Sequence, residues 1–332
     1  MDYRDLKLAV AGCGSIGKRH IRILRSMGVK QITAFDTDRE LLKAVQQADE
    51  GIKIAESYNK LLSDDTDAVF ILTPTRLHVE MACEALRRGI HTFIEKPLSV
   101  DMEGVDSLIK LRDQTKLKVM VGFCFRYHEG LLKAKEILDK GTIGRLVSIR
   151  AMVGEHLPSV RPDYLQTYYV KYSGAFEMVH DLDLAIWYAG QNIKNSYSVF
   201  GAYTDLGFQS PDNVELLIEF EDRLAASVHL DFYQRPRRRV TELIGTEGTI
   251  LIDFSSWDSY VIYIGNAKGE WENIKGVTRR DDMFVAEDTE FLEAVANDLP
   301  IKCTLEEACK SLSVVLRATG QDNDKLTVNP AN

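Results

Sequence analysis

The first third of the chain alternates short apolar segments with longer amphipathic ones. Between residue 6 and about residue 122, the apolar runs predict strands near 6–11, 30–35, 67–72, 90–94 and 117–121, with helices between them. Strands separated by helices pair in parallel, because each helix returns the chain to the edge where the next strand begins. The pattern therefore predicts a doubly wound parallel sheet, which we assign to a first domain spanning residues 1–122.

The pattern changes after residue 122. A helix is predicted near 129–140, and helices return near 283–297 and 305–318. Alternating stretches between them predict strands near 145–153, 196–204, 213–220, 223–232, 239–245 and 248–253. Glu221-Asp222-Arg223 and Gly245-Thr246-Glu247-Gly248 have the composition of hairpin turns, which favours an antiparallel sheet. We assign residues 123–332 to a second domain and expect the active site in the cleft between the two domains.

A glycine fingerprint links the first strand to the first helix. Its sequence is Gly12-Cys13-Gly14-Ser15-Ile16-Gly17, and such a turn places a dinucleotide pyrophosphate at a helix N-terminus. Gly12 allows the tight turn, Gly14 lets the backbone approach the phosphates, and Gly17 lets the helix pack closely on its strand. We predict that Gly12, Gly14, Ser15, Ile16 and Gly17 bind NAD or NADP.

The second predicted strand ends in a carboxylate, Asp36. At this position a carboxylate accepts hydrogen bonds from both adenosine ribose hydroxyls and repels a 2′-phosphate, which favours NAD over NADP. Nearby Arg39 keeps NADP as an alternative. Asp36 could also cap a helix that starts near Thr37.

Composition narrows the functional classes. The chain has 332 residues, of which 45% are hydrophobic, enough for two cores. Its net charge of -9 argues against nucleic-acid binding, which depends on neutralising phosphates. The sequence has no apolar run long enough to span a bilayer, and its polar start lacks signal-peptide character, so we expect a cytoplasmic protein without membrane contact.

Two further features of the composition have simple interpretations. The five cysteines lack zinc spacing and are expected to be reduced packing residues. The dense basic run Arg235-Pro236-Arg237-Arg238-Arg239 is expected on a solvated strand edge, with a substrate phosphate site as the alternative.

Candidate chemistry follows two of the parallel strands. Glu95-Lys96-Pro97 ends the fourth predicted strand beside the expected nicotinamide crevice, where Pro97 keeps Lys96 extended. The alternative is an ordinary exposed Glu95–Lys96 ion pair. Thr73, Pro74, Thr75 and His78 follow the preceding strand and are candidates for cofactor contact, although Thr75 could be only a helix cap.

A third candidate group lies on one helix. Glu177, His180 and Asp183 are spaced three residues apart, so the imidazole would have a carboxylate one turn before it and another one turn after it. Such an arrangement orients a histidine that exchanges a proton with a substrate hydroxyl. The alternatives are acids that favour a helix N-terminus, or a metal site. Because the sequence has no second Glu-x-x-His or His-x-x-x-His pattern, we predict no metal.

Four segments, in this order and spacing, resemble the glucose-fructose oxidoreductase / inositol dehydrogenase / MocA family. They are Gly12-Cys13-Gly14-Ser15-Ile16-Gly17-Lys18-Arg19-His20, Thr73-Pro74-Thr75-Arg76-Leu77-His78, Glu95-Lys96-Pro97 and His180-Asp181-Leu182-Asp183. Glu242–Thr249 and Asp288–Leu292 extend the resemblance to a late sheet hairpin and a returning helix. The glycine motif is common to many dehydrogenases, whereas the Glu-Lys-Pro and His-x-x-Asp elements are more specific.

The resemblance implies a Rossmann domain followed by an α+β domain with a large open, mostly antiparallel sheet, which usually builds homodimers or homotetramers. It implies hydride transfer between NAD(P) and a carbon of a sugar, polyol or sugar derivative. In that scheme Lys96 binds the reacting oxygen, often beside a cis Lys96–Pro97 bond, and His180 is the general acid or base. Glu95 and Arg126 would lie against the cofactor, and Tyr127 and Asp183 against the substrate.

One departure from the family pattern concerns the catalytic helix. Members commonly have an aspartate three or four residues before the histidine, whereas this chain has Glu177 there. Residues 161–172 resemble a substrate loop in which Tyr164 and Tyr172 offer flat aromatic surfaces, and its charges could admit an acidic or nucleotide-linked sugar. Two other functions stay open: a non-catalytic dinucleotide sensor, and a metal-dependent lyase or hydrolase.

Overall fold

The computed structural model describes residues 1–161, 163, 165, 179–208 and 210–320. The chain divides into two compact units. The first comprises Met1–Cys124 and Asp281–Leu312, and the second comprises Phe125–Arg280 and the chain from Ser313 onwards. This division differs from the single boundary predicted at residue 122, because the segment 281–312 returns to the first unit.

The helices follow the predicted amphipathic segments closely. They are α1 Ser15–Ser26, α2 Arg39–Ala48, α3 Tyr58–Leu61, α4 His78–Arg87, α5 Val105–Thr115, α6 Glu129–Asp139, α7 Leu157–Val160, α8 Val179–Ala189, α9 Asp282–Asn297 and α10 Leu305–Ala318. Short 3-10 turns occupy Tyr3–Asp5, Thr75–Leu77 and Cys124–Tyr127. None of the helices in the described ranges is both long enough and apolar enough to cross a lipid bilayer.

The first unit is built on the predicted parallel sheet. Its strands are β1 Lys7–Ala11, β2 Gln31–Phe35, β3 Lys53–Ile54, β4 Ala68–Ile71, β5 His91–Glu95 and β6 Val119–Gly122. The spatial order is β3-β2-β1-β4-β5-β6, and every neighbouring pair is parallel. This is the order of a dinucleotide-binding sheet, with its switch point between β1 and β4. Only β3 was not predicted, since its two residues are too few to form a pattern.

Aromatic side chains explain why the late helix belongs to the first unit. Phe70 on β4 and Phe93 on β5 stack with ring centroids 4.8 Å apart. Phe291 on α9 meets the Phe70 ring edge-on at 5.4 Å. All three rings are fully buried, so α9 completes a core that the sheet alone would leave uncovered.

A buried ion pair also joins α1 to α9. His20 Nδ1 lies 2.9 Å from Asp288 Oδ1, and both side chains are fully buried. Burial disfavours the charged imidazolium, but attraction to the Asp288 carboxylate outweighs it and raises the pKa of His20. Burial also raises the pKa of Asp288, so the folded pair keeps its proton to higher pH than the unfolded chain does.

Asp288→Asn should therefore lower the free energy of unfolding by an amount that depends on pH. The raised pKa of His20 stabilises the folded protein fully at pH values below the unfolded pKa of about 6.5. This stabilisation is lost as the pH rises through the pKa of His20 in the folded protein. We expect Asp288→Asn to lower the free energy of unfolding by about 3 kcal/mol at pH 6 and by progressively less at higher pH. Urea unfolding between pH 6 and pH 9 measures this difference. Glu290 lies on the same helix as Asp288 and pairs with the exposed Lys302, so Glu290→Gln is the control and should show no such trend.

The second unit contains the predicted antiparallel sheet in enlarged form. Its strands are β7 Leu146–Gly154, β8 Ile193–Gly201, β9 Asn213–Phe220, β10 Ala225–Asp231, β11 Arg238–Gly245, β12 Gly248–Asp253, β13 Ser259–Asn266 and β14 Trp271–Val277. Their order is β14-β13-β12-β11-β7-β10-β9-β8, in which β7 and β10 pair in parallel and the other neighbours pair antiparallel. The predicted β9–β10 and β11–β12 hairpins are confirmed. Neither β13 nor β14 was predicted from the sequence, and most positions of the edge strand β14 are exposed.

Helices cover one face of this sheet. Helix α8 packs against β7 and β10, and α6 packs against β12 and β13. The other face carries exposed apolar side chains, namely Tyr197, Val199, Leu217, Tyr263, Trp271 and Val277. The cysteines agree with the sequence-based expectation, since all five are free thiols and four of them are buried.

Candidate functional site

The glycine fingerprint has the predicted geometry. Gly12 has a φ of +98°, and a Cβ there would lie 2.4 Å from the carbonyl oxygen of Leu72. A Cβ on Gly17 would lie 2.0 Å from the carbonyl oxygen of Gly12, which is the close contact between helix and strand expected for the third glycine. At Gly14 a Cβ would meet no atom within 4 Å, so the backbone there faces open space.

Helix α1 offers its first amides to that space. Gly14 is the N-cap residue and has no side chain to accept a hydrogen bond, while Ser15 and Ile16 begin the helix. The first N–H groups of a helix have no acceptor within the helix and attract anions. This end of α1 therefore fits a pyrophosphate. Gly28, with a φ of +91°, follows the last turn of α1 in the left-handed conformation that ends many helices.

Asp36 lies beside the same turn, at the end of β2. Its Oδ2 accepts a hydrogen bond from the Cys13 amide at 2.6 Å, and its Oδ1 accepts one from the Asp38 amide at 2.8 Å. The helix-cap alternative for Asp36 is wrong, because Asp38 caps α2 through a hydrogen bond from the Glu40 amide. The two backbone bonds instead fix the Asp36 carboxylate next to the fingerprint loop.

A cavity of about 940 Å³ opens from this loop. Five of the residues that we predict to bind the cofactor line it, namely Gly12, Gly14, Asp36, Thr73 and Pro74. Its walls also include apolar side chains, namely Phe35, Leu41, Leu72, Leu77 and Met81. A glycine cradle, a fixed carboxylate and an apolar wall together suit the phosphates, ribose and adenine of a dinucleotide.

Two glycine variants should separate folding from cofactor binding. We expect Gly17→Ala to lower the free energy of unfolding by about 1–3 kcal/mol, because its methyl group collides with backbone. Gly14→Ala should leave thermal unfolding unchanged but weaken NAD binding by about tenfold, or about 1.4 kcal/mol, because its methyl group enters the open space. Differential scanning calorimetry and NAD titration measure the two effects. Equal loss of stability in both variants would contradict this assignment.

His78 lies close to the cavity but has a different role from the predicted one. It is 1% exposed, and its two ring nitrogens lie 2.8 Å from the Thr73 carbonyl oxygen and 2.9 Å from that of Pro97. Burial lowers the pKa of this imidazole. His78 thus links the loops that follow β4 and β5 and does not offer a nitrogen to a ligand. Thr75 lies in a 3-10 turn ahead of α4, and since Leu77 is the N-cap residue of α4, the interpretation of Thr75 as a cap is wrong.

Lys96 lies directly after β5, as predicted. The Lys96–Pro97 bond is cis, in agreement with the expectation from family resemblance. Lys96 is partly exposed, and so is Glu95 as a whole residue, although its carboxyl group is buried. Burial raises the pKa of the Glu95 carboxyl, against the opposing influence of the Lys96 ammonium group.

His180 lies in the first turn of α8, between two buried ion pairs. Asp183 binds Arg126 through both carboxylate oxygens, at 2.7 and 2.8 Å. Asp181 binds Arg239 in the same way, at 2.5 and 3.0 Å. The imidazole of His180 packs on the Phe125 ring with centroids 4.9 Å apart. The two pairs hold the turn that presents His180.

These ion pairs involve two predicted ligand-binding residues. Arg126 and Asp183 are 6% and 1% exposed, and their charged groups bind each other. Their predicted contacts with cofactor and substrate stay predictions. An Asp183 carboxylate already bound to a guanidinium is also a poor metal ligand, which argues against the metal-dependent alternative. The donors of His20, Glu287 and Asp288 lie within 4.8 Å of one another, a spacing that could hold a cation, but Asp288 already binds His20 there.

The sequence predicted that the basic run lies on a solvated strand edge. This prediction is wrong. Strand β11 lies between β7 and β12, so it is an interior strand of the sheet. Arg239 is buried against Asp181, and its guanidinium lies 3.8 Å from the centroid of the Phe125 ring. The pair between Arg239 and Asp181 was not predicted from the sequence, although alternation along a strand does place Arg237 and Arg239 on one face.

The remaining candidates can be placed only in part. Tyr127 is partly buried in the 3-10 turn that contains Arg126. Glu177, Tyr164 and Tyr172 lie outside the described residues. Their predicted roles therefore stay predictions.

Comparisons with known proteins show the family of the chain. Residues 6–123 match a family model described as an oxidoreductase family with an NAD-binding Rossmann fold, GFO_IDH_MocA. Residues 131–251 match the model of the GFO/IDH/MocA C-terminal domain. The scyllo-inositol 2-dehydrogenase (NAD(+)) of Bacillus subtilis (strain 168) is 28% identical over 340 residues, covering 98% of this chain and 96% of the relative.

Solved structures share the fold at lower identity. The myo-inositol 2-dehydrogenase of Lactobacillus plantarum superposes with a TM-score of 0.81 at 23% identity, covering 95% of this chain and 96% of the other. The UDP-N-acetylglucosamine 3-dehydrogenase of Acidithiobacillus ferrooxidans has a TM-score of 0.81 at 22% identity, covering 95% and 97%.

Proposed function

Because the chain belongs to the GFO/IDH/MocA family of NAD-binding oxidoreductases, we propose that it oxidises a CH–OH group of a sugar, polyol or sugar derivative, or reduces the matching ketone. The observation that supports this most strongly is the fingerprint loop with its fixed Asp36 carboxylate and adjoining cavity. Relatives named as inositol and UDP-N-acetylglucosamine dehydrogenases support the substrate class.

The cofactor in this proposal is NAD. The N-terminal amides of α1 bind its pyrophosphate, and Asp36 binds the hydroxyls of the adenosine ribose. A 2′-phosphate would approach the Asp36 carboxylate, which favours NAD over NADP. When bound, NAD supplies a hydride acceptor at C4 of its nicotinamide ring.

Lys96 and His180 act on the reacting oxygen. The Lys96 ammonium group donates a hydrogen bond to that oxygen and stabilises negative charge on it. His180 takes the hydroxyl proton during oxidation and returns it during reduction. The Asp181–Arg239 and Asp183–Arg126 pairs fix the orientation of the histidine, with Glu177, Tyr127, Tyr164 and Tyr172 as further candidates around the substrate.

The exposed apolar face of the eight-stranded sheet supports assembly of the chain into an oligomer. Six large apolar side chains on one face are too many to leave in water without cost. We propose that this face pairs with a second copy of the chain in a homodimer or homotetramer. Light scattering on the purified protein measures the mass directly.

A substrate panel tests the proposed reaction. The purified protein is supplied with NAD and with inositols, aldoses, uronic acids and nucleotide-linked sugars, and absorbance at the reduced-nicotinamide band is recorded. We expect NAD-dependent turnover of at least one member of the panel. Tight NAD binding without turnover of any member would instead favour the dinucleotide sensor.

A further inference from the structure

Arginines gather where several strands of the eight-stranded sheet start or end, beside the first turn of α8, which contains His180. We call this row of strand ends the edge, as distinct from the outermost strands β8 and β14. Strand β11 starts there and β14 ends there, so Arg237 and Arg280 approach each other although 43 residues separate them in sequence (280 minus 237). Both guanidinium groups lie over the ring of Trp257, with their central carbons 4.3 and 4.2 Å from its centroid. All of these residues belong to the second unit.

Two aromatic side chains, Phe125 and Trp257, connect His180 to the two arginines. The Trp257 ring centroid is 6.3 Å from that of Phe125, and the Phe125 centroid is 4.9 Å from that of His180. A chain of two aromatic rings therefore leads from the imidazole to the two cations.

The charge of Arg237 is only partly balanced. Asp181 pairs fully with Arg239, but Arg237 has a single bond from Nε to Glu155 at 3.2 Å and a second bond to the Ser255 carbonyl oxygen. Within the described residues, Nη2 of Arg237 makes no hydrogen bond. Burial, and then repulsion from Arg239, lower the pKa of Arg237, as expected where cations crowd a half-buried surface. A bound anion would relieve that repulsion.

We propose that this edge is an anion-binding subsite, and that the substrate is a sugar with a carboxylate or phosphate group that Arg237 and Arg280 bind. The inference rests on the proposed function and deepens it. An arginine fork matches a carboxylate or phosphate with two parallel hydrogen bonds, which a neutral hydroxyl cannot reproduce. Trp257 holds both guanidinium groups in place beneath the anion.

Binding to the NAD-loaded protein tests the subsite without requiring turnover. D-glucuronate, glucose 6-phosphate and UDP-glucose are each titrated against D-glucose by calorimetry. We expect at least one anion to bind about tenfold more tightly than D-glucose, the size of one charge-assisted hydrogen bond. Preference for glucuronate identifies a carboxylate, and preference for the other two, together with competition by inorganic phosphate, identifies a phosphate.

Variants of the arginines test whether Arg237 and Arg280 cause the anion preference. Arg237→Gln and the more exposed Arg280→Gln should each reduce the anion preference about tenfold. Arg238→Gln is the control, because Arg238 lies in the same basic run but is exposed on the opposite face of β11. Loss of the anion preference in Arg280→Gln supports the subsite even if Arg237→Gln fails to fold.

Several outcomes would overturn the subsite. Binding of D-glucose as tightly as all three anions would do so, and so would equal effects of Arg238→Gln and Arg280→Gln. Turnover of a neutral polyol without anion preference would reject the subsite but leave the proposed reaction intact. If no sugar reduces NAD, the proposed reaction fails, and the calorimetric preference still decides the subsite.

Discussion

His180→Ala is expected to lower kcat by about 10²- to 10⁴-fold, the usual contribution of general acid–base catalysis. The variant removes the imidazole that takes the hydroxyl proton, while the Asp181–Arg239 and Asp183–Arg126 pairs still hold the turn of α8. NAD affinity should stay the same, because the fingerprint loop belongs to the first unit. Steady-state kinetics and NAD titration measure the two quantities on the same protein.

Two further variants are compared with His180→Ala. Lys96→Met should lower kcat by about 10²- to 10³-fold through loss of charge stabilisation at the reacting oxygen. His91→Asn is the histidine control, since His91 starts β5 at the end opposite to Glu95 and only accepts a hydrogen bond from the Lys118 amide. Turnover in His180→Ala within threefold of the unmodified enzyme, about 0.7 kcal/mol, would rule out its role as the acid–base group.

Asp181→Ala is expected to lower the free energy of unfolding by about 3–5 kcal/mol, since it leaves the buried Arg239 guanidinium without its counter-charge. Asp181 and Arg239 are 0% and 5% exposed, so water cannot replace the lost carboxylate without opening the structure. Urea unfolding followed by circular dichroism measures the change.

A double variant distinguishes an unpaired charge from general damage. Asp181→Leu combined with Arg239→Met removes both charges and keeps most of the volume, so it should restore most of the lost stability. If the double variant is no more stable than Asp181→Ala, the ion pair is not the source of the loss. Its kcat also reports whether the pair orients His180.

The elements of this fold were largely predictable, because burial repeats along the chain. Strand β4 is buried at all four positions, and its continuous apolar run predicted a parallel strand. Strand β14 has mostly exposed positions, so no alternation marked it. The placement of α9 in the first unit depends on Phe291 meeting Phe70, a contact between residues 221 positions apart (291 minus 70). Periodicity cannot specify such a contact.

The candidate site was predictable only where a local motif defines it. The backbone geometry of Gly12 and Gly17 was predictable because the spacing of the glycines marks a tight turn and a closely packed helix, although the Leu72 carbonyl oxygen beside Gly12 is distant in sequence. The partner of Asp183 was not, because a helix pattern suggests neighbours at three or four residues and the actual partner, Arg126, is 57 residues away. The position of Arg239 was missed because edge and interior strands of the same polarity look alike until the sheet order is known.

A crystal structure with NAD and a turned-over sugar bound would test the proposed mechanism directly. Lys96 Nζ and His180 Nε2 should both lie within about 3.2 Å of one substrate oxygen, on a carbon that faces C4 of the nicotinamide. A bound substrate whose reacting oxygen contacts only one of these nitrogens, or neither, would contradict the mechanism.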